Sequence, residues 1–235
     1  MNIQYTSIAL ADALTTVWSG GTTTELFLYP KGKTYKDRTF EARISSATVD
    51  LPKSTYTSLP GVDRFLSPLE NPFTLSHPGT NLRTTHLQPF EVYAFSGDLP
   101  TECEGTGRDF NLMVRGGMAG TMVPIRESFT PNWPGGATER FIYLYYAGQS
   151  EREKEGQDRE EEKAREEREN LQIKLSTGQQ LVLSPQTLLL VTLDAPTDTA
   201  ASTGPSLHLA SSSGLPLQGG ALQGDTLLGG TIYRP

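Results

Sequence analysis

Short runs of alternating apolar and polar residues, most of them stopped by glycine or proline, recur along almost the whole chain. From Phe40 onward, Phe40, Ala42 and Ile44 share one side while Glu41, Arg43 and Ser45 share the other, the two-residue period of a strand. The stretch from Asp109 repeats this: Asp109, Asn111, Met113 and Arg115 share one face, and Phe110, Leu112 and Val114 the other. Residues 3–10, 26–29, 73–77, 89–95, 121–129, 139–147, 171–175, 180–183, 187–193 and 231–233 read the same way. Turn chemistry separates them at Gly20-Gly21, Pro60-Gly61, Pro78-Gly79, Gly116-Gly117 and Thr177-Gly178. Roughly a dozen short strands spaced by such turns predict an all-β fold, a barrel or sandwich rather than βαβ units.

One segment breaks the pattern. Residues 151–170 carry ten acidic and six basic side chains, and Ala164 is their single apolar one. Pairs such as Glu155/Arg159 and Glu161/Arg165 favour a helix, but such a helix has no face to bury. The expectation is one charged insertion, helical or disordered. The chain would then divide into residues 1–150, a first β-rich part, the insertion at 151–170, and a second β-rich part at 171–235.

Length and charge narrow the function. The 235 residues can bury a sizeable core. A formal net charge of −7 argues against nucleic acid or an anionic membrane as partner. Cys103 is the single cysteine, so no internal disulfide forms, which suits a reducing, cytoplasmic location. The first residues show no secretory pattern, and no apolar run approaches a membrane span.

Chemistry-bearing motifs are sparse. The three histidines, His77, His86 and His208, lack metal-ligand spacing, so neither a metal nor another cofactor is expected. Cys103 lies between Glu102 and Glu104, which would raise its pKa and blunt the thiolate. Gly105-Thr106-Gly107 lacks the third glycine and strand–helix context of a dinucleotide fingerprint. What remains is a set of polar side chains on strands. Arg43 and Arg64 would join Asn111 and Arg115 around the interior of a closed barrel, where arginine matches a carboxylate by paired hydrogen bonds. Internal ion pairs, such as Arg115 with Asp109 or Arg64 with Glu25, would account for the same charges without a ligand.

Five motifs then stand in order: Trp18-Ser19-Gly20-Gly21-Thr22-Thr23-Thr24-Glu25, Arg43-Ile44-Ser45-Ser46-Ala47, Leu59-Pro60-Gly61-Val62-Asp63-Arg64, Phe95-Ser96-Gly97-Asp98, and Asp109-Phe110-Asn111-Leu112-Met113-Val114-Arg115. Together they resemble the HutD/Ves family over about residues 10–147, and more loosely beyond. The resemblance implies a cupin-type β-barrel in a two-barrel (bicupin) arrangement without the usual cupin metal histidines. It also implies an association with histidine utilisation or stress induction, and no established enzymatic activity. The family's motif residues fall here on Trp18, Glu25, Arg43, Ser45, Asp63, Arg64, Asp98, Asp109, Asn111 and Arg115. Ser19 and the threonine run replace an arginine-containing element, and Leu59 replaces a phenylalanine.

The reading that follows is a metal-independent bicupin binding a small carboxylate-bearing metabolite, as a sensor or regulator. Arg43, Arg64 and Arg115 would hold the carboxylate, with Asn111 and Glu25 setting its orientation. Two alternatives stay open: an isomerase or hydrolase using Glu25 or Asp109 as general base, and an interaction module working through residues 151–170. A homodimer is compatible with each.

Overall fold

The computed structural model describes residues 3–126, 128–148, 170–193, 205–210 and 227–235. The charged segment expected as a helical or disordered insertion lies outside them, apart from Asn170. Twenty strands and one turn of 3-10 helix, Leu10–Asp12, make up the described elements. In chain order the first ten are β1 (Ile3–Ala9), β2 (Leu14–Trp18), β3 (Gly21–Tyr29), β4 (Ala42–Val49), β5 (Lys53–Tyr56), β6 (Asp63–Pro68), β7 (Phe73–Ser76), β8 (Thr85–Leu87), β9 (Tyr93–Ser96) and β10 (Thr101–Glu104). They are followed by β11 (Gly107–Val114), β12 (Ala119–Gly120), β13 (Val123–Pro124), β14 (Ser128–Phe129), β15 (Thr138–Tyr146), β16 (Leu171–Leu175), β17 (Gln180–Leu183), β18 (Thr187–Leu193), β19 (Leu207–Ala210) and β20 (Leu227–Arg234). The all-β expectation therefore holds for the described residues.

Two six-stranded sheets and two four-stranded sheets result, every pairing antiparallel. The site sheet runs β2-β3-β4-β11-β6-β9, and the small sheet β5-β10-β7-β8 lies against it. Val49, Leu66 and Phe95 from the first pack on Tyr56, Phe73, Leu75, Leu87 and Cys103 from the second. The other large sheet runs β1-β18-β15-β20-β12, with β13 also on β20, and packs through Ile142, Leu144, Val191 and Leu193 on Leu171, Ile173 and Leu175 of β14-β19-β16-β17. Among the described residues, strand pairing leaves four separate sheets and closes none into a continuous barrel.

Alternation explains how the two large sheets meet. Ile44 of β4, with Phe110 and Leu112 of β11, turns away from the small sheet and onto Tyr143, Tyr145, Leu188 and Ile232 of the other large sheet. Phe110 stacks on Tyr145 at 4.5 Å between ring centroids. Each fully buried side chain of this kind contributes roughly 1.5–3 kcal/mol, so the shared core fixes the back of the site sheet. The opposite residues of the same strands, Arg43, Ser45, Asp109, Asn111 and Met113, are left to line the other face.

Several elements differ from the sequence-based expectation. β2, β5, β8 and β10 fall in stretches read as link or loop, because their three to five residues are rich in Thr, Ser, Lys and Glu and show no apolar periodicity. The expected strand at 89–95 begins only at Tyr93: Phe90 has φ +67° and turns the chain first. β1 pairs residue for residue with β18, Ile3 opposite Leu193.

Candidate functional site

The alternating face of the site sheet floors a cavity of about 670 Å³. β4 supplies Arg43, Ser45 and Ala47, β11 supplies Asp109, Asn111 and Met113, and their register places Met113 opposite Arg43 and Asn111 opposite Ser45. On its other side β11 places Met113 opposite Arg64 of β6. Glu25 of β3 stands opposite Ser45, just before a register shift that readmits the strand at Phe27. Trp18 and Thr16 of β2, with Tyr56 at the end of β5, form further wall. A loop from Lys33 to Arg38 supplies further lining.

Four of the five expected site residues, Glu25, Arg43, Arg64 and Asn111, line this one cavity. Arg43 is paired: its Nε donates to Glu25 Oε2 at 2.9 Å and its Nη1 to Ser45 Oγ at 3.0 Å. The internal pairing weighed for Glu25 is thus made with Arg43 rather than Arg64. Arg64 is 6% exposed and differently placed. Its hydrogen bond to Asn111 Oδ1 is long, at 3.5 Å, and its Nε has no partner. The Tyr56 and Phe95 rings lie 5.2 and 5.1 Å from its guanidinium carbon. Burial lowers its pKa from the usual arginine value.

Beside Arg64 sits Asp109. Its Oδ1 accepts from Asn111 Nδ2 at 2.5 Å and its Oδ2 from the Tyr56 hydroxyl at 3.3 Å. Burial outweighs these contacts and the nearby Arg64, and raises its pKa to about 7. Behind Tyr56, the Cys103 thiol is fully buried, and desolvation pushes it up to about 11. Burial, more than the flanking carboxylates expected to do so, is what blunts it.

Arg115 is not brought to the cavity. β11 ends at Val114, so the alternation that carries Asp109, Asn111 and Met113 inward stops one residue earlier. Its Nη1 instead donates to the backbone oxygen of Arg38, at 2.7 Å. Asp98 serves the Pro60-Gly61 turn, accepting from the Gly61 amide at 3.4 Å and the Ser96 hydroxyl at 2.9 Å. Asp63 is exposed at the start of β6.

The same loop holds lining residues that sequence reasoning missed: Lys33, Tyr35, Lys36 and Arg38. Tyr35 lies between two guanidinium groups, Arg38 at 4.0 Å and Arg43 at 4.2 Å from its ring centroid. Four basic residues within 31–38 of an acidic protein were the available signal. With them the lining carries five cationic side chains, Lys33, Lys36, Arg38, Arg43 and Arg64, against two carboxylates, Glu25 and Asp109.

This donor set does not suit a metal. Both carboxylates already accept from arginine, asparagine or tyrosine. Among the described residues, no three His, Cys, Asp or Glu side chains converge. His77 is buried elsewhere, its Nε2 3.1 Å from the Tyr93 hydroxyl and its Nδ1 3.2 Å from the Pro100 oxygen. Among the described residues, no helix is long and apolar enough to cross a membrane.

Fold and lining together define an all-β protein whose cavity lining carries more cationic than anionic side chains. Two solved structures align over nearly their whole length: a conserved protein of unknown function from Pseudomonas aeruginosa PAO1 (TM-score 0.65, 18% identity, 98% of both chains) and HutD from Pseudomonas fluorescens SBW25, described as a formate condition (TM-score 0.61, 16% identity, 99% of this chain and 100% of that one). Protein Ylba from E. coli is similar at TM-score 0.53 and 9% identity, over 98% of this chain and 90% of that one. A comparison with curated proteins finds no match. The family model for HutD matches residues 11–201, and the chain belongs to the HutD family. That match runs beyond the five motifs, through the charged segment and past residue 193.

Proposed function

We propose that this HutD-family protein is a metal-independent bicupin that binds a small carboxylate-bearing metabolite in the cavity, as a sensor or regulator in the cytoplasm. The two sheet pairs, each around its own core, support the two-barrel reading. The observation that carries the ligand reading is Arg64: a buried guanidinium facing the cavity with one long hydrogen bond and an unused Nε. A buried charge with so few partners is costly, and a carboxylate beside it would offset that cost. Histidine degradation is a fitting source of such acids, given the family association.

Thermal shifts across a panel of small carboxylates, imidazole acids included, test the reading. A ligand at a hundredfold its Kd should stabilise the folded protein by about 2.7 kcal/mol. Arg64→Met should erase the shift and Arg43→Ala should reduce it. Shifts that survive both substitutions would overturn the assignment.

Asp109 favours a second reading. A cavity carboxylate whose pKa lies at about 7 has the poise of a general base. Turnover of imidazole- or formamide-containing acids by the purified protein, lost in Asp109→Asn, would establish an enzyme; its absence across the panel leaves the binding reading alone.

A further inference from the structure

Residues 31–39 form a strap that supplies part of the cavity lining. It is folded on itself by short local bonds: the Lys33 amide to the Pro30 oxygen at 3.3 Å, Thr34 Oγ1 to Asp37 Oδ2 at 2.7 Å, and the Arg38 amide to the Tyr35 oxygen at 3.2 Å. The strap contributes five residues to the lining, Lys33, Thr34, Tyr35, Lys36 and Arg38, and so three of the five cations. Its Tyr35 packs against Phe40 and the cluster that holds Met113 of β11, and two polar contacts add to this. One is the Tyr35 ring over Arg43. The other is the Arg115 guanidinium on the Arg38 oxygen.

Arg115 is itself well held. Its amide donates to the Glu41 oxygen at 2.8 Å, and its own oxygen accepts from the Met118 amide at 3.1 Å. Gly116 and Gly117 follow with φ +63° and +86° and turn the chain directly after Arg115. Arg38, at the receiving end, has φ +56°, which a non-glycine residue adopts only when its surroundings hold it there. The side chain that the sequence pattern sends inward thus reaches a backbone oxygen at the root of the strap.

We infer that Arg115 is a positioning residue for the cavity, latching the strap through Arg38 and so setting both access and the positive charge at the rim. The inference rests on the carboxylate-binding reading. With the latch in place, Lys33, Lys36 and Arg38 line the cavity from the strap while Arg43 and Arg64 stand on the floor. A ligand with a second negative charge meets both sets, and a single small carboxylate needs only the floor.

The test uses the full chain, with formate and succinate as probes in calorimetric titrations of wild type, Arg115→Ala and Arg115→Lys. Losing one charge-assisted hydrogen bond should weaken succinate about tenfold in Arg115→Ala, with a smaller effect on formate. Arg115→Lys should recover part of the loss. Trypsin should cut after Lys33, Lys36 and Arg38 faster in Arg115→Ala than in wild type, and succinate should slow the cutting of wild type. Unchanged succinate affinity in Arg115→Ala overturns the latch and leaves the binding reading standing. Equal losses for both probes with unchanged cutting do the same. Wild type that binds neither these probes nor any other carboxylate of the panel overturns both. Should Arg115→Ala fail to fold, Arg115→Lys and the wild-type protection decide: strap sites that succinate leaves equally open overturn the latch.

Discussion

Replacing Asp109 with asparagine should change how stability depends on pH, by an amount that follows from the burial of one carboxyl. An unfolded aspartate ionises near 3.8, and Asp109 in the folded chain ionises near 7. Below the lower value both states hold the proton and the group contributes no difference. Between the two, the unfolded chain releases its proton while the folded chain keeps it, so stability falls as pH rises. Above the upper value the penalty is complete. About three pH units at 1.36 kcal/mol each give about 4 kcal/mol. Asparagine keeps the shape: its oxygen can still accept from Asn111, and its amide can donate to the Tyr56 hydroxyl oxygen, so the variant lacks the titration without opening a cavity.

Urea unfolding of both proteins, followed by tryptophan fluorescence from about pH 4 to about pH 8, reads the effect as a difference, so that carboxylates common to both cancel. The variant should gain on wild type steadily through this window, by about 4 kcal/mol in all. A difference that does not move with pH would refute the reasoning. So would wild type gaining on the variant as pH rises, because Arg64 would then hold Asp109 below its ordinary range and the charged pair, rather than the neutral acid, would be the native form.

Two further predictions concern packing. An added Cβ at Gly230 would sit 1.8 Å from the Thr121 backbone oxygen, where no flexible side chain can yield. Gly230→Ala should therefore cost more than about 3 kcal/mol or prevent folding, read by soluble yield and denaturation. Cys103 is fully buried with its thiol pushed up to about 11, so a thiol reagent at neutral pH should label it only after unfolding. Prompt labelling of the folded protein would contradict the position of β10.

The period of two made most of the cavity floor legible. Once residues 40–45 and 109–115 are read as strands, Arg43 and Asn111 fall opposite Ile44 and Leu112, and the apolar set can only face a core. Glu25 and Arg64 follow from the motifs on the flanking strands. Arg115 shows where that logic stops: alternation says nothing past Val114, where two glycines re-aim the backbone. The strap was equally hidden, since a basic loop looks the same in sequence whether it points to water or lines a cavity. Pairing between distant strands was out of reach too. Nothing local to Ile3–Ala9 names Thr187–Leu193 as its partner; only the shared core does.

What the structure adds is a reason for the floor to be polar at all. A site sheet with apolar residues on both faces would bury more surface, yet one face carries Arg43, Arg64, Asp109 and Asn111. Of these, Arg43 is satisfied by Glu25 and Ser45, and Asn111 links Asp109 to Arg64. With Asp109 ionising near 7, Arg64 has only a partial counter-charge at neutral pH. A network built for stability alone would complete that pair or replace it with hydrocarbon, which is often the more stable choice. Leaving a buried guanidinium short of one negative partner, in a cavity whose strap adds three more cations, is the arrangement expected where the missing charge arrives with a ligand.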